Sequence, residues 1–240
     1  MNAVRSMVAA AVVVTLGSPL GARQTAQGAT DEAQRLQNST DVLRQLTSTP
    51  DDRIPQHLLA RAEAIVVIPS LIKGGFVVGA KHGRGVLSAK NPATNVWSAP
   101  AFVNLTGGSI GWQIGIESVD LVMLVMNPTG IDPLLEDKFT IGGNLSLAAG
   151  PIGRSGDAAV NAQVNAPILA YSRSRGLFAG ATFEGAALHA DDNANKAFYG
   201  SPVSLRELVR GTGTRGAPGG GSTWMETLKR LTTSASPSDR

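Results

Sequence analysis

The sequence contains no cysteine, few aromatic residues and few charges. Of its 240 residues, 5% are aromatic and 16% are charged. The absence of cysteine excludes disulfides, thiolate nucleophiles, cysteine metal sites and a lipid anchor on an N-terminal cysteine. Hydrophobic residues still make up 42% of the chain, which is enough for a packed core. The composition therefore favours one globular unit with short flanking segments.

Signatures of metal, cofactor and nucleic-acid sites are also missing. The three histidines, His57, His82 and His189, show no ligand spacing, and no phosphate loop with Gly-Lys-Ser/Thr is present. The neighbouring acids Asp191 and Asp192 do not fit a calcium-binding loop. A net charge of +3 with few stacking aromatics is too weak for a nucleic-acid surface. We predict no metal, no cofactor and no nucleic-acid partner.

One catalytic motif is matched literally, but in the wrong context. Residues 107–111 (GGSIG) fit the GxSxG pattern of serine hydrolases, with Ser109 in the nucleophile position. That motif requires a strand, a sharp turn and then a helix. Ser109 is followed instead by Trp112, Ile114 and Ile116, an alternation typical of a strand. We therefore predict no catalytic residue and no enzyme activity.

The N-terminal 22 residues have the pattern of a secretory signal peptide. Arg5 gives a positive start, residues 7–16 are apolar, and small residues lead to Ala22. An apolar segment of this length is too short for a bilayer, which takes about 20 residues. We expect residues 1–22 to be removed and the chain to be periplasmic and peripheral to the membrane, with a flexible N-terminus over residues 23–30.

Hydrophobic periodicity predicts one domain over residues 31–210. Helices are predicted over residues 31–46, from Pro55, and over residues 128–137, 191–199 and 202–210. Strands are predicted between them, over residues 65–68, 75–90, 101–115, 119–126, 139–149, 157–165, 167–172 and 177–190. The first is predicted to end at Pro69, and the second to form two strands around a turn near Gly83. A break near Ser118 is predicted before the strand over residues 119–126. This pattern predicts an α+β fold: a curved antiparallel sheet or barrel-like sandwich, with short helices at the N-terminus and near the C-terminus.

The last 30 residues differ from this domain. Residues 211–222 are rich in glycine and are interpreted as a linker. Beyond them, Trp224, Leu228 and Leu231 share one side of a helical turn, which predicts a short amphipathic tail. We therefore treat residues 211–240 as a linker followed by a tail that could hold a protein partner.

Glycine and charge are both unevenly distributed. Two glycine series recur at every fourth residue, which keeps each on one strand face: Gly75, Gly79 and Gly83, then Gly107, Gly111 and Gly115. They indicate either smooth faces for close packing or bends of a curved barrel. Residues 71–116 hold four basic and no acidic residues, whereas residues 117–150 hold five acidic residues and one lysine. These segments either form a dipolar surface facing an anionic membrane or neutralise each other.

Several sequence blocks, in order, resemble one known family. They are residues 54–62 (IPQHLLARA), 97–100 (WSAP), 111–117 (GWQIGIE), 149–154 (AGPIGR), 171–185 (YSRSRGLFAGATFEG) and 192–200 (DNANKAFYG). Together they resemble the signature of the SYLF lipid-binding domain family, over residues 30–210, and we interpret the chain as an exported bacterial member.

The resemblance implies binding of anionic phospholipid, and of phosphoinositides in eukaryotic members. Actin binding belongs to fungal relatives, and we do not expect it of an exported bacterial chain. A lipid such as phosphatidylglycerol or cardiolipin is the ligand expected here, with an envelope protein partner as the alternative. The predicted lipid-binding residues are cations, because arginine and lysine pair with phosphate oxygens: Lys73, Lys81, Arg84, Arg154, Arg173 and Arg175. Arg154 has an equal alternative role, an ion pair with Glu117 or Glu184, whereas Lys81 and Arg84 are expected to bind lipid.

Overall fold

The computed structural model describes residues 20–48, 53–136, 139–141, 143, 146–152, 166–174, 177–178, 183, 185–211 and 217–233. The helices of this part of the chain are α1 (Leu20–Ser48), α2 (Gln56–Arg61), α3 (Ile131–Leu134), α4 (Asp192–Tyr199), α5 (Leu205–Arg210) and α6 (Gly221–Thr232), with a 3-10 turn (Pro128–Gly130) before α3. Its strands are β1 (Ala64–Ala89), β2 (Ala101–Val125), β3 (Phe139–Thr140), β4 (Leu147–Ala149), β5 (Ile168–Ser174), β6 (Leu177–Phe178) and β7 (Ala187–Ala190). None of these helices combines the length and the apolar character that crossing a membrane requires.

Local capping signals place three of the predicted helices correctly. Pro55 precedes the first residue of α2. The Asp191 side chain accepts a hydrogen bond from the Ala194 amide at the start of α4. Ser204 does the same for α5, accepting from the Glu207 amide. The predictions of helices at these three places are confirmed.

Helix α1 is longer than its sequence pattern indicates. It begins at Leu20 rather than at residue 31, so residues 23–30, which we expected to be flexible, are helical. A tertiary contact accounts for part of the extension. A Cβ atom on Gly28 would lie 3.3 Å from the Ala197 Cβ, so this turn of α1 packs closely against α4. The helix was predicted from its apolar periodicity, which contains no information about such a tertiary contact.

The strands form one sheet with β2 at its centre. The order is β3-β7-β2-β5-β4, with β1 also paired to β2 and β6 to β5. Strand β2 pairs with β1 along most of its length, with β7 near its start (residues 103–106) and with β5 at its end (residues 120–125). The pairings are antiparallel except for β4 with β5. The predicted α+β class and curved, mainly antiparallel sheet are confirmed.

Strands β1 and β2 continue where the sequence predicts interruptions. Gly83 and Ser118 each have a partner within the β1–β2 ladder, and Pro69 lies at an irregularity that the strand passes. The predicted turn at Gly83, break at Ser118 and strand end at Pro69 are therefore wrong. Strand β2, which is of similar length, forms hydrogen bonds with the backbone of β1 along this stretch. The backbone donors and acceptors therefore do not need the hydrogen bonds of a local turn. The predicted strand over residues 157–165 lies outside the described residues.

The long β1–β2 ribbon folds back on itself. The Lys90 amide donates to the Glu63 carbonyl at 2.8 Å, which places the hairpin end of the ribbon beside its open end. Gly85 lies against Val67 of the same strand, so closely that a Cβ on Gly85 would be 2.1 Å from the Val67 oxygen. The two halves of the ribbon are therefore packed face to face, as in a barrel-like sandwich.

The turning point of the ribbon lies in residues 74–80 of β1 and 107–116 of β2, which pair with each other. We call this segment the ribbon bend. Five members of the two glycine series lie in it: Gly75, Gly79, Gly107, Gly111 and Gly115. Both interpretations of the glycine series agree with the structure: these five residues lie at a bend of the sheet, and a Cβ on Gly107 would lie 2.9 Å from the Cα of Ala186, which shows close packing as well.

Hydrophobic residues form two cores, one on each face of the ribbon. The inner core lies within the fold of the ribbon and includes Ile68, Leu71, Phe139 and Phe183, with α3 and α5 packed at its side. The outer core lies between the ribbon and helices α1, α2, α4 and α6. Most apolar residues of β1 and β2 are buried in one core or the other, which explains why these strands are rich in valine, isoleucine and leucine.

Helix α6 belongs to the outer core and is not a separate tail. The Trp224 side chain is fully buried, and its Nε1 donates to the Ser88 hydroxyl at 2.9 Å. In return, Trp97 Nε1 donates to the Thr232 hydroxyl at 3.0 Å. The apolar side of the predicted amphipathic tail is thus covered by the domain itself, which excludes Trp224 as a docking surface.

Candidate functional site

Two of the predicted cations, Lys73 and Lys81, converge on one aromatic ring. They lie eight positions apart on β1, which would separate them by about 26 Å in a straight strand. In the structure their Nζ atoms lie 4.9 Å and 5.8 Å from the centroid of the Phe183 ring. The ribbon bend between them brings both ammonium groups to the same place, within the range of a cation–π contact.

The surroundings of this lysine pair disfavour its two positive charges. Burial lowers the pKa of Lys73, the nearby charge of Glu117 offsets part of this effect, and the charge of Lys81 makes a smaller contribution that lowers the pKa again. Burial also lowers the pKa of Lys81, which is 7% exposed. A further anion close to both ammonium groups would offset the desolvation that Glu117 leaves uncompensated. The pair therefore has the chemistry of a site for a phosphate or carboxylate.

Arg84, which was predicted to bind lipid, has a partner within the protein. Its Nη2 lies 2.8 Å from Glu32 Oε1 on α1. The same carboxylate pairs with Arg35, whose guanidinium also donates to Asp191 Oδ2 at 3.0 Å. We call these four residues the clasp, because they join α1, β1 and the start of α4. Burial raises the pKa of Glu32, so the paired arginines offset only part of its desolvation.

We expect removal of the Asp191 carboxylate to loosen the clasp measurably. Asp191→Ala removes both the α4 cap and a partner of the buried Arg35, which should cost about 2–3 kcal/mol of unfolding free energy. Asp191→Asn keeps the capping oxygen and should cost about 1 kcal/mol less. Urea denaturation of the two variants checks the difference. If both unfold at the wild-type urea concentration, the clasp contributes no stability.

The remaining predicted cations do not join the lysine pair in the described structure. Arg173 on β5 donates to Asp120 Oδ2 at 3.2 Å and to the side chain of Gln45 on α1. It therefore connects two strands to a helix. Arg154 and Arg175 lie outside the described residues, so the choice between the two roles of Arg154 stays a prediction.

The arrangement around Ser109 does not match a nucleophile elbow. Ser109 lies inside β2, opposite Gly79 of β1, with strand on both sides. A hydrolase elbow places its serine at a strand-to-helix turn instead. Within the described residues, no three histidine, aspartate or glutamate side chains are grouped so that they could hold a metal ion.

Sequence reasoning found the lysines and missed their surroundings. Lys73 and Lys81 were predicted from an acid-free basic segment, whereas Phe183 and Glu32 were not considered as site residues. Phe183 lies about a hundred residues further along the chain, and no local pattern links it to β1. Asp191 carried a partial signal, because an acid before a helix is typical of a cap.

Comparison with known proteins agrees with this fold and with the ordered sequence blocks. A model of the Ysc84 family, described as "Las17-binding protein actin regulator", matches residues 106–231, more than half of the chain. The chain belongs to the Ysc84 (SYLF) family. The matched region of this family domain includes most of β2, the strands β5 and β7 that pair with it, and most of α6. The predicted family is therefore confirmed.

Members of the Ysc84 family from animals and yeast are similar to the chain. It is 36% identical over 169 residues to the protein named SH3 domain-containing YSC84-like protein 1 of Bos taurus and of Homo sapiens, which covers 70% of the chain and 49% of each relative. It is also 36% identical over 164 residues to LAS seventeen-binding protein 3 of Saccharomyces cerevisiae, covering 67% of the chain and 35% of that protein. The chain thus spans half or less of the length of these relatives.

Proposed function

We propose that this Ysc84-family domain binds anionic phospholipid at a membrane surface and catalyses no reaction. The observation that carries the proposal is the convergence of Lys73 and Lys81 on Phe183. Two desolvated ammonium groups that contact the same ring favour an anionic ligand, and a lipid phosphate is one. Arg84 pairs with Glu32 and Arg173 pairs with Asp120, and the lysines are the cations that contact the Phe183 ring, so we assign the site to Lys73 and Lys81.

The site of action we propose is the surface of an envelope membrane in the periplasm. The support is the N-terminal pattern of Arg5, an apolar segment over residues 7–16 and a small-residue exit. In that compartment phosphatidylglycerol or cardiolipin would supply the anionic headgroup in place of a phosphoinositide. Each cation near an acidic leaflet contributes about 1 kcal/mol, so two lysines alone give weak, salt-sensitive binding.

Vesicle flotation of the mature chain, residues 23–240, tests the lysine pair. We expect the protein to float with vesicles containing phosphatidylglycerol and cardiolipin at low salt, and not with neutral vesicles. Lys73→Gln and Lys81→Gln should each lower the binding about fivefold, since each charge contributes about 1 kcal/mol. Lys229→Gln is the matched control, because Lys229 is an exposed lysine on α6, which packs on the outer core.

Thermal unfolding of the same variants is measured in parallel, because Lys81 is buried. A Lys81→Gln protein that unfolds like the wild type but binds vesicles less well supports the site. Equal loss in Lys229→Gln would indicate general charge attraction and would contradict it. Absence of binding by the wild type to acidic vesicles would reject lipid binding altogether.

The pH dependence of vesicle binding should reflect the lowered lysine pKa values. Both lysines lose their protons below the ordinary pKa of 10.5, so binding should weaken as the pH rises, before an exposed lysine would be affected. Lys73→Arg should keep binding to a higher pH, because a guanidinium stays protonated. Flotation across alkaline pH, with circular dichroism to confirm folding, measures this. Parallel loss of binding in wild type and Lys73→Arg would contradict the assignment.

A protein partner is the second candidate function. The family is described as Las17-binding and as an actin regulator, and the yeast relative is named for binding Las17. An exported chain would meet an envelope protein instead. If neutral and acidic vesicles both fail to bind the chain, and a cross-linked envelope protein co-purifies with it, this candidate replaces the first. Labelling of Ser109 by a serine-reactive probe would contradict both, since it would indicate catalysis.

A further inference from the structure

The ribbon bend is uncharged, and a lysine stands at each end of its β1 segment. Residues 74–80 and 107–116 contain no acidic or basic side chain and are composed mainly of glycine and apolar residues. Lys73 precedes the first segment and Lys81 follows it. This composition is unusual for two paired strands at the turning point of a sheet. Charged residues on exposed strands normally prevent association with other chains.

Two isoleucines at the base of the bend are exposed on its outer face. Ile72 is 52% exposed and Ile116 is 84% exposed. In the ladder, Ile72 lies opposite Ser118 and Gly74 lies opposite Ile116, so the two isoleucines are diagonal neighbours on one face. Lys73, the next residue along β1, points to the other face, toward Phe183. The outer face of the ribbon is therefore apolar at this end, while the inner face carries Lys73 with Glu117 opposite it.

This apolar surface is concentrated at one end of the molecule. Among the described residues the exposed large apolar side chains are Ile72, Ile116 and Val96. Val96 lies in the connection between β1 and β2, next to Lys90, whose amide is bonded to Glu63 at the open end of the ribbon. The bend is the opposite end of the folded ribbon, so Val96 is remote from the two isoleucines.

We propose that the ribbon bend inserts its outer face into the headgroup and upper acyl region of an acidic bilayer, with Ile72 and Ile116 as apolar anchors. This inference rests on the proposed lipid-binding function and names the part of the surface that enters the membrane. The lysines at the two ends of the bend indicate that the surface it enters is an acidic one. An acidic bilayer offers apolar depth beneath a layer of phosphates. This matches an uncharged bend that exposes isoleucines on its outer face and carries a lysine at each end of its β1 segment, on the inner face.

The test compares isoleucine variants of the mature chain, residues 23–240, in vesicle flotation. The double variant Ile72→Ser with Ile116→Ser should bind acidic vesicles at least about tenfold less well than the wild type, because both anchors lose their apolar surface. Val96→Ser is the matched control, as it removes an equally exposed apolar side chain at the other end, and it should bind as the wild type does. Thermal unfolding of both variants should be unchanged, since the replaced side chains are exposed.

The salt dependence of vesicle binding distinguishes the contribution of the isoleucine anchors from that of the lysine pair. Apolar anchoring is insensitive to salt, so the wild type should keep part of its binding at high salt, and the double isoleucine variant should lose that part. Equal binding of the double variant and the wild type overturns the inference while leaving the proposed function intact. Wild-type failure to bind acidic vesicles overturns both. A wild-type dimer that the double variant dissociates, with vesicle binding unchanged, would show that a second copy covers this face and would also overturn the inference.

Discussion

Gly85→Ala is expected to destabilise the protein by about 3 kcal/mol. An added Cβ would lie 2.1 Å from the Val67 carbonyl oxygen and 2.6 Å from Ile68 Cδ1. The oxygen belongs to the backbone of the same strand and cannot rotate away, so the two halves of the ribbon must separate. Urea denaturation with circular dichroism measures the loss of unfolding free energy.

Gly108→Ala provides the matched control on the partner strand. A Cβ there would meet nothing closer than the Gly79 oxygen at 3.9 Å. Because alanine restricts the unfolded chain more than glycine, this change should be neutral or stabilise by about 0.5 kcal/mol. Opposite signs at the two glycines would confirm that the folded-back ribbon, rather than strand propensity, determines the effect. Similar unfolding free energies for the two variants would contradict the close approach at Gly85.

Elements that depend on nearby residues were predictable from the sequence. Helices α2, α4 and α5 each begin next to a proline or a capping side chain within a few residues. The connection after β1 was equally local, since Asn91 bonds to the amides of Ala93 and Thr94 and forms a turn. In each case the decisive contact lies within about four positions of the chain.

Elements that depend on distant partners were predicted with the wrong limits. Gly83 is a turn signal in isolation, yet it lies in a strand because Leu105 of β2 pairs with it and Ile68 and Leu71 pack over it. The same glycine that permits a turn also permits close backbone packing, and the sequence pattern does not distinguish the two. The early start of α1 likewise depends on contact with α4.

The candidate site likewise has features that the sequence predicts and partners that only the fold reveals. A basic segment without acidic residues pointed to Lys73 and Lys81, which the structure brings to one ring. The partners that give each cation its role come from remote parts of the chain: Phe183 for the lysines and Glu32 for Arg84. Charge composition therefore selects candidates, and the fold decides which of them are paired within the protein.

Trp224→Ala is expected to cost about 3–5 kcal/mol of unfolding free energy. The side chain is fully buried in the outer core with Leu36 of α1 and Leu58 of α2, and its Nε1 donates to Ser88 at 2.9 Å. Alanine would leave a large cavity between α6 and the ribbon and would remove the hydrogen bond. Trp224→Phe keeps most of the ring and should lose less. Urea denaturation of both variants measures the difference.

Glu226→Ala is the control on the same helix, because Glu226 is exposed and its loss should change the unfolding free energy by less than about 0.5 kcal/mol. A large loss for Trp224→Ala alone would show that α6 stabilises the domain from within, so that a chain ending at residue 210 would lack part of its outer core. It would also mean that deleting residues 211–240 cannot be used to test a partner site on the tail, since the deletion would unfold the domain that carries Lys73 and Lys81. If Trp224→Ala and Glu226→Ala are equally mild, α6 is not docked in solution, and the apolar side of the helix becomes available to a partner.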